Sequence, residues 1–251
     1  MVPHHIMKRT ASPHPHDDLL CIVPCYNAAP TCARVIEELK AHIRHIVAVD
    51  DGSTDGTAEA LKKTGVPVLT HPVNRGKGHA LLTGFTHALA MPWIKNIVTI
   101  DADGQHDTED ITRLAAHIPC DLIVGHRFST RVRHQPVVRR ISNNVSNKML
   151  SWLCKQTIAD GQSGFRIYSH RFAEHMLQHS EGGRFEWETR ALLIAARRNF
   201  SMKFVPIKGY YPEKNFTSSY RALHDSARIA RVMMLSLVGG RFPVSDKPTR
   251  T

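Results

Sequence analysis

The sequence predicts an α/β fold on a mostly parallel sheet covered by helices on both faces, and three observations predict it. Short β-rich runs alternate with helix-length segments, acidic and basic residues gather just after the apolar runs, and 251 residues suffice for one full core. The strand runs are 19–24 (LLCIVP), 45–50 (HIVAVD), 66–70 (VPVLT), 96–101 (NIVTID), 121–125 (DLIVG) and 202–207 (MKFVPI). Helical patterns fill 30–44, 54–64, 76–90 and 108–118. In such sheets ligands bind beyond the carboxyl ends of the strands, where Pro24–Tyr26, Asp50–Asp51, Asp101–Asp103 and Gly125–Arg127 fall. From about 128 the pattern loosens and turns basic, and this half is expected to build one wall of a cleft. The expected organisation is a flexible polar tail over 1–18, one domain over 19–210, and a C-terminal amphipathic helix and tail over 211–251.

A formal charge of +11 suits an anionic partner, and nucleic acid, nucleotide phosphates and an anionic membrane all qualify. Five cysteines without a CxxC pair read as reduced core cysteines of a cytosolic protein rather than a zinc site. The N-terminal stretch lacks an apolar centre, so a secretory signal is not expected; its histidines stand among prolines, as in a floppy tail. No apolar run reaches 18 residues, so no membrane-spanning helix is expected.

Three loops carry chemistry. "VDDGSTDGT" (49–57) holds more carboxylates than the cap that Thr54 or Asp55 supplies, and Asp50 is placed to accept from a base or ribose. "NRGKG" (74–78) fails the Walker A pattern, because Gly78 follows Lys77, yet a glycine-rich helix entry can present amides to phosphate; a simple turn is the competing reading. In "DADGQHD" (101–107), Asp101, Asp103 and Gln105 alternate along an expected extended backbone, a hard-oxygen set that suits Mg²⁺ or Mn²⁺. An acidic turn capped by Asp107 or Thr108 is the alternative. A calcium loop is excluded by a glycine at the fourth place and Thr112 where Glu is needed.

Taken in order, "VPCYNAAP", "VDDGSTDGT", "NRGKG", "DADGQH", "GHR" and "SGFR" resemble glycosyltransferase family 2 over about residues 19–210. The similarity is to the branch of dolichyl- and polyprenyl-phosphate sugar transferases. It implies the GT-A fold, a single nucleotide-binding Rossmann-like domain. It also implies Mg²⁺ or Mn²⁺, a UDP- or GDP-sugar donor, and inverting transfer to a lipid-linked acceptor such as polyprenyl phosphate. Pro24, Tyr26 and Asn27 then line the nucleotide pocket, with Ala28 where the family usually has Glu. Asp50 reads the base, Asp51 lies near the ribose, and Lys77 joins the nucleotide set. Asp103 is a metal ligand, Gln105 an additional one, and Asp101 serves ribose or metal.

By the same resemblance Arg127 faces the diphosphate or acceptor phosphate, and Arg139 or Arg140 supplies a further phosphate contact. Asp160 and Arg166 match the acceptor-side motif, whose turn Ser163 and Gly164 shape; a structural salt bridge is the plain alternative for Arg166. Glu186 and Glu188 match acidic residues near the acceptor, although Glu188 and Arg184 one turn apart also suit an exposed pair. Asp103 and Arg127 would stabilise the leaving diphosphate. Asp160 or Glu186 would act as base for a hydroxyl acceptor, whereas a lipid phosphate needs no strong base.

The segment 219–242 reads as a helix with Arg221, His224, Arg228 and Arg231 on one face and Ala222, Ile229, Val232 and Met233 on another. It either packs on the domain or lies among lipid headgroups, giving peripheral contact at the cytoplasmic membrane face. Two other functions compete. A nucleotidyltransferase would open on a glycine-rich basic loop, which "VPCYNAAP" lacks. A non-catalytic basic nucleic-acid or membrane module would interleave aromatics, but these are 7% of residues, and the carboxylates would repel nucleic acid.

Overall fold

The computed structural model describes residues 16–127, 137–180, 182–184, 186–208 and 222–237, without the side chains of 137–142, 222–227 and 237. Most of the expected tails at either end lies outside the described residues. The strands are β1 (Leu19–Cys25), β2 (His45–Asp50), β3 (Val68–Thr70), β4 (Asn96–Thr99), β5 (Leu122–Arg127), β6 (Arg166–Ser169) and β7 (Met202–Ile207). The helices are α1 (Cys32–Lys40), α2 (Thr57–Lys63), α3 (Lys77–Leu89), α4 (Asp110–Ala115), α5 (Val137–Cys154), α6 (His170–His179), α7 (Glu186–Arg197) and α8 (Ala222–Leu237).

Among the described residues the strands form one seven-stranded sheet in the order β3-β2-β1-β4-β6-β5-β7. β1 pairs in parallel with β2 and β4, and β5 with β7, while β6 runs antiparallel between β4 and β5. The mostly parallel sheet is thus observed. The six predicted strands are present, and β6 is the addition, in the half of the chain where the alternating pattern loosens. The chain winds outward from β1 through β2 to β3 and then returns to β4 on β1's other side. The carboxyl ends of β1 and β4 therefore flank a topological switch point, the usual place for a ligand crevice.

Alternating side chains divide the core between the two sheet faces. Leu20, Ile22, Val47 and Ile97 pack with Ala80, Leu81, Phe85 and Ala88 of α3 and with Trp187 and Leu192 of α7. Leu19, Cys21, Val23 and Val98 pack on the opposite face with Val35, Ile36 and Leu39 of α1 and Ile111 and Leu114 of α4. Ile229, Val232 and Met233 of α8 join the first cluster, so the described part of this helix packs on the domain. All five cysteines are free, and four are buried. No helix among the described residues is long and apolar enough to cross a membrane.

Candidate active site

The loops after β1 and β2 are stitched together. The Asn27 amide donates to Ser53 Oγ at 3.0 Å and Asn27 Oδ1 accepts from the Thr54 amide at 2.9 Å. The Ala28 amide donates to Thr57 Oγ1 at 2.8 Å, and Ala29 donates to Asp55 Oδ2 at 3.2 Å. These bonds occupy 53–56, which is why α2 begins at Thr57 rather than Thr54. Pro24 and Tyr26 are half-buried, and Asn27 is exposed in the left-handed region at φ 49°, which asparagine tolerates. Asp50 is buried at the end of β2 and accepts from the Ser53 amide at 3.1 Å.

Asp51 does different work from that expected. Its Oδ1 lies 2.6 Å from His71 Nδ1 and accepts from the Arg75 amide at 2.9 Å, and its Oδ2 accepts from the Gly76 amide at 2.7 Å. A carboxylate 2% exposed and so engaged organises the 74–76 loop, and this corrects its expected place near a ribose. The same bonds dispose of the phosphate-cradle reading of NRGKG. The Arg75 and Gly76 amides belong to Asp51, and the Gly78 amide donates to Gly183 O at 2.8 Å.

Residues 101–105 form a turn, not the extended run expected. β4 ends at Thr99, Gly104 takes φ 72°, and the Gln105 amide donates back to Asp103 Oδ1 at 3.0 Å. Thr31 Oγ1 donates to Ala102 O at 2.6 Å, pinning this turn to the start of α1 across the switch point. The turn still brings the two aspartates together. Burial and then the Asp101 charge push the Asp103 carboxyl up to about 6. Gln105 and His106 are buried, at 4% and 5% exposure. Burial lowers the His106 imidazole to about 4, and its Nδ1 has no hydrogen-bond partner among the described residues. A lone histidine in this motif gave no sequence signal for such a position.

Lys77, at the start of α3, reaches across to this turn. Its Nζ lies 2.5 Å from Asp101 Oδ1 and 2.6 Å from Glu188 Oε1. Although burial opposes the charge, the two carboxylates hold the ammonium above the usual lysine range. Glu188, 2% exposed, therefore pairs with Lys77, and the exposed pair with Arg184 is not formed. Glu186 is 8% exposed, with Oε2 lacking a hydrogen-bond partner among the described residues.

At the end of β5, Arg127 Nε donates to Asp160 Oδ2 at 2.8 Å and its terminal nitrogen to Oδ1 at 3.2 Å. Asp160 lies below the usual carboxylate range: its burial is outweighed by the Arg127 charge and hydrogen bond. Arg166 is corrected outright. At 0% exposure it donates to the carbonyls of Ser163 at 2.8 Å, Glu188 at 2.9 Å and Gly161 at 3.0 Å. Its guanidinium binds backbone, and among the described residues it forms no salt bridge. Arg139 and Arg140 fall in the first turn of α5, and their side chains lie outside the described residues.

The profile described as "Glycosyl transferase family 2" matches residues 20–177, well over half the chain. The chain belongs to glycosyl transferase family 2. This family 2 glycosyltransferase is 27% identical to the UDP-N-acetylglucosamine–dolichyl-phosphate N-acetylglucosaminyltransferase of Methanococcus voltae, over 86% of the chain and 95% of that protein. It is 29% identical to the polyprenol monophosphomannose synthase of Mycolicibacterium smegmatis, covering 78% and 79% of the two chains. Glucosyl-3-phosphoglycerate synthase from Mycobacterium tuberculosis, solved with Mn²⁺ and UDP-glucose, superposes with a TM-score of 0.67 at 19% identity. That match covers 90% of this chain and 80% of the other, and it shows the GT-A-like fold.

Among the described residues no three His, Cys, Asp or Glu side chains converge to hold a metal unaided. The donor set nonetheless fits an ion that retains waters and borrows phosphate oxygens, as Mg²⁺ and Mn²⁺ do. Asp103 is the specific observation: a cation beside it would offset the burial and the Asp101 repulsion that together raise its pKa.

Proposed function

We propose that this glycosyltransferase moves a sugar from a UDP- or GDP-sugar to a lipid-linked acceptor, polyprenyl phosphate, with inversion and with Mg²⁺ or Mn²⁺. The observation that carries the reading is the Asp101–Asp103 turn at the switch point, with Asp103 raised by burial and then by the neighbouring Asp101 charge. Asp103 and Gln105 would hold the ion, with Asp101 shared between ion and ribose. When bound, a divalent cation supplies positive charge for the departing diphosphate. Pro24, Tyr26, Asn27 and Asp50 bind the nucleoside, and Arg127, aimed by Asp160, meets phosphate.

The electrostatics favour a lipid phosphate over a hydroxyl acceptor. A direct displacement by a hydroxyl needs a base to take its proton, and Asp160, held ionised against Arg127, is too weak a base. A phosphate monoester is already an anion and needs none. The two lipid-phosphate relatives support the same choice. Glu186, with a free buried oxygen, is the base that a hydroxyl acceptor would require.

A polyprenyl acceptor resides in a bilayer. The packed pair α5 and α8 exposes Val145, Trp152, Met234 and Leu235 beside exposed Lys148, Arg228 and Arg231. This mixed apolar and basic surface suits peripheral contact with anionic lipid.

Thermal melts with UDP or GDP, with and without Mn²⁺, test the donor side. Stabilisation should need the metal and vanish in Asp103→Ala, whereas equal stabilisation without metal would remove the cation from the reading. A donor-hydrolysis screen then names the sugar. Glu186→Gln should leave transfer to polyprenyl phosphate within about threefold of the wild type.

A further inference from the structure

We propose that Lys77 is a resident cation of the site, competing with the divalent ion for Asp101 and thereby setting how tightly the site takes its metal. This rests on the reading of Asp101, Asp103 and Gln105 as the ion's ligands.

The ammonium sits between carboxylates from two different elements, 2.5 Å from Asp101 and 2.6 Å from Glu188. Asp103 has no such direct partner: among the described residues it makes no ion pair, its one hydrogen bond is from the Gln105 amide, and the charges of Lys77 and Arg127 act on it without contact. With Arg127 balanced by Asp160, the carboxylates of Asp101, Asp103 and Glu188 against one ammonium leave two negative charges, which a single divalent ion would balance. The lysine is also fixed from both sides. The Gly76 amide is bound to Asp51 Oδ2 at 2.7 Å and the Gly78 amide to Gly183 O at 2.8 Å. A Cβ on Gly76 would stand 2.6 Å from Gly183 O, and one on Gly78 would stand 2.9 Å from Gly182 C, so both flanking glycines lie close against the 182–183 segment. The backbone thus delivers Nζ to Asp101, and the side chain withdraws only by giving up a buried ion pair. An incoming ion that uses Asp101 must displace that pair. The freed ammonium remains held by Glu188, within reach of the diphosphate that the ion brings.

Mn²⁺ titrations followed by electron paramagnetic resonance, without donor, test this. Lys77→Met should bind Mn²⁺ roughly tenfold or more tighter than wild type, because Asp101 is released and a positive charge is gone. The double variant Lys77→Met/Glu188→Gln keeps the net charge and replaces both partners of the pair, so it should fold where the single variant fails. It should still bind more tightly than wild type, and an affinity equal to or weaker than wild type in the double variant overturns the proposal. Asp103→Asn should abolish binding in every background. If wild type binds Mn²⁺ and Asp103→Asn does not, but the lysine variants match wild type, this inference alone falls. If wild type binds no Mn²⁺, the metal reading and this inference fall together.

Discussion

At Asp103 a buried carboxyl and a neighbouring like charge meet, and the consequence is a pH dependence with a definite sign. The folded pKa of about 6 stands above the ordinary 3.8, so the metal-free fold holds this proton more tightly than the unfolded chain. Its contribution favours folding below about pH 4, fades as pH rises to 6, and above 6 the ionised group costs about 3 kcal/mol relative to its protonated form. Metal binding requires the ionised form. Mn²⁺ affinity should therefore fall below about pH 6, and binding at pH 5 should release a proton, seen as a buffer-dependent heat in calorimetry. An affinity flat from pH 5 to 7 would contradict the assignment. Asp103 drew notice in the sequence through the order of the surrounding motifs, because two aspartates one residue apart after a strand suit an acidic turn as well as a cation. Arg166 was not: a phosphate-binding arginine and one consumed by three carbonyls are the same letter, and only its 0% exposure separates them.

Between elements, the decisive contact joins the start of α3 to the loop before α7. Gly78 donates to Gly183 O, the Gly183 amide donates to His79 Nδ1 at 3.0 Å, and Arg184 reaches Asn74 Oδ1 at 3.4 Å. A Cβ on Gly182 would lie 2.3 Å from the His79 ring. Gly182→Ala should therefore push the 182–184 loop off α3 and disturb the Lys77–Glu188 pair. The expected result is a loss of roughly tenfold or more in kcat, with a stability cost of about 1–3 kcal/mol. Faster hydrogen exchange over 182–188 should accompany it, and unchanged exchange would show that the contact is dispensable. NRGKG drew notice for its glycines, yet their purpose is close approach to a segment about a hundred residues later. No local pattern announces such a partner.

For the molecule as a whole, the sheet order places the loops after β1 and β4 at the switch point, while α5 and α8 present Trp152, Met234, Arg228 and Arg231 to the outside. The protein should cosediment with phosphatidylglycerol vesicles and not with phosphatidylcholine vesicles. Each arginine in the double change Arg228→Gln/Arg231→Gln should contribute about 1 kcal/mol, and salt should weaken the rest. Trp152 fluorescence should shift to the blue on binding, and an unshifted spectrum would place the contact elsewhere.

The sequence by itself determined the alternation of strand and helix, the strand-end position of each acidic loop and the family. Those features are periodic, local or carried by motifs in a fixed order. Only the tertiary structure decided which candidates meet. It paired Arg127 with Asp160, gave Asp51 to a loop and Arg166 to the backbone, and joined Lys77 to Asp101 and Glu188. The physical reason is that charge and hydrogen-bond capacity are spent on whichever partners the packing brings near. Partners 33, 24 and 111 residues apart along the chain become neighbours only when β5 meets the loop before β6, the loop after β2 meets the loop before α3, and α3 meets α7.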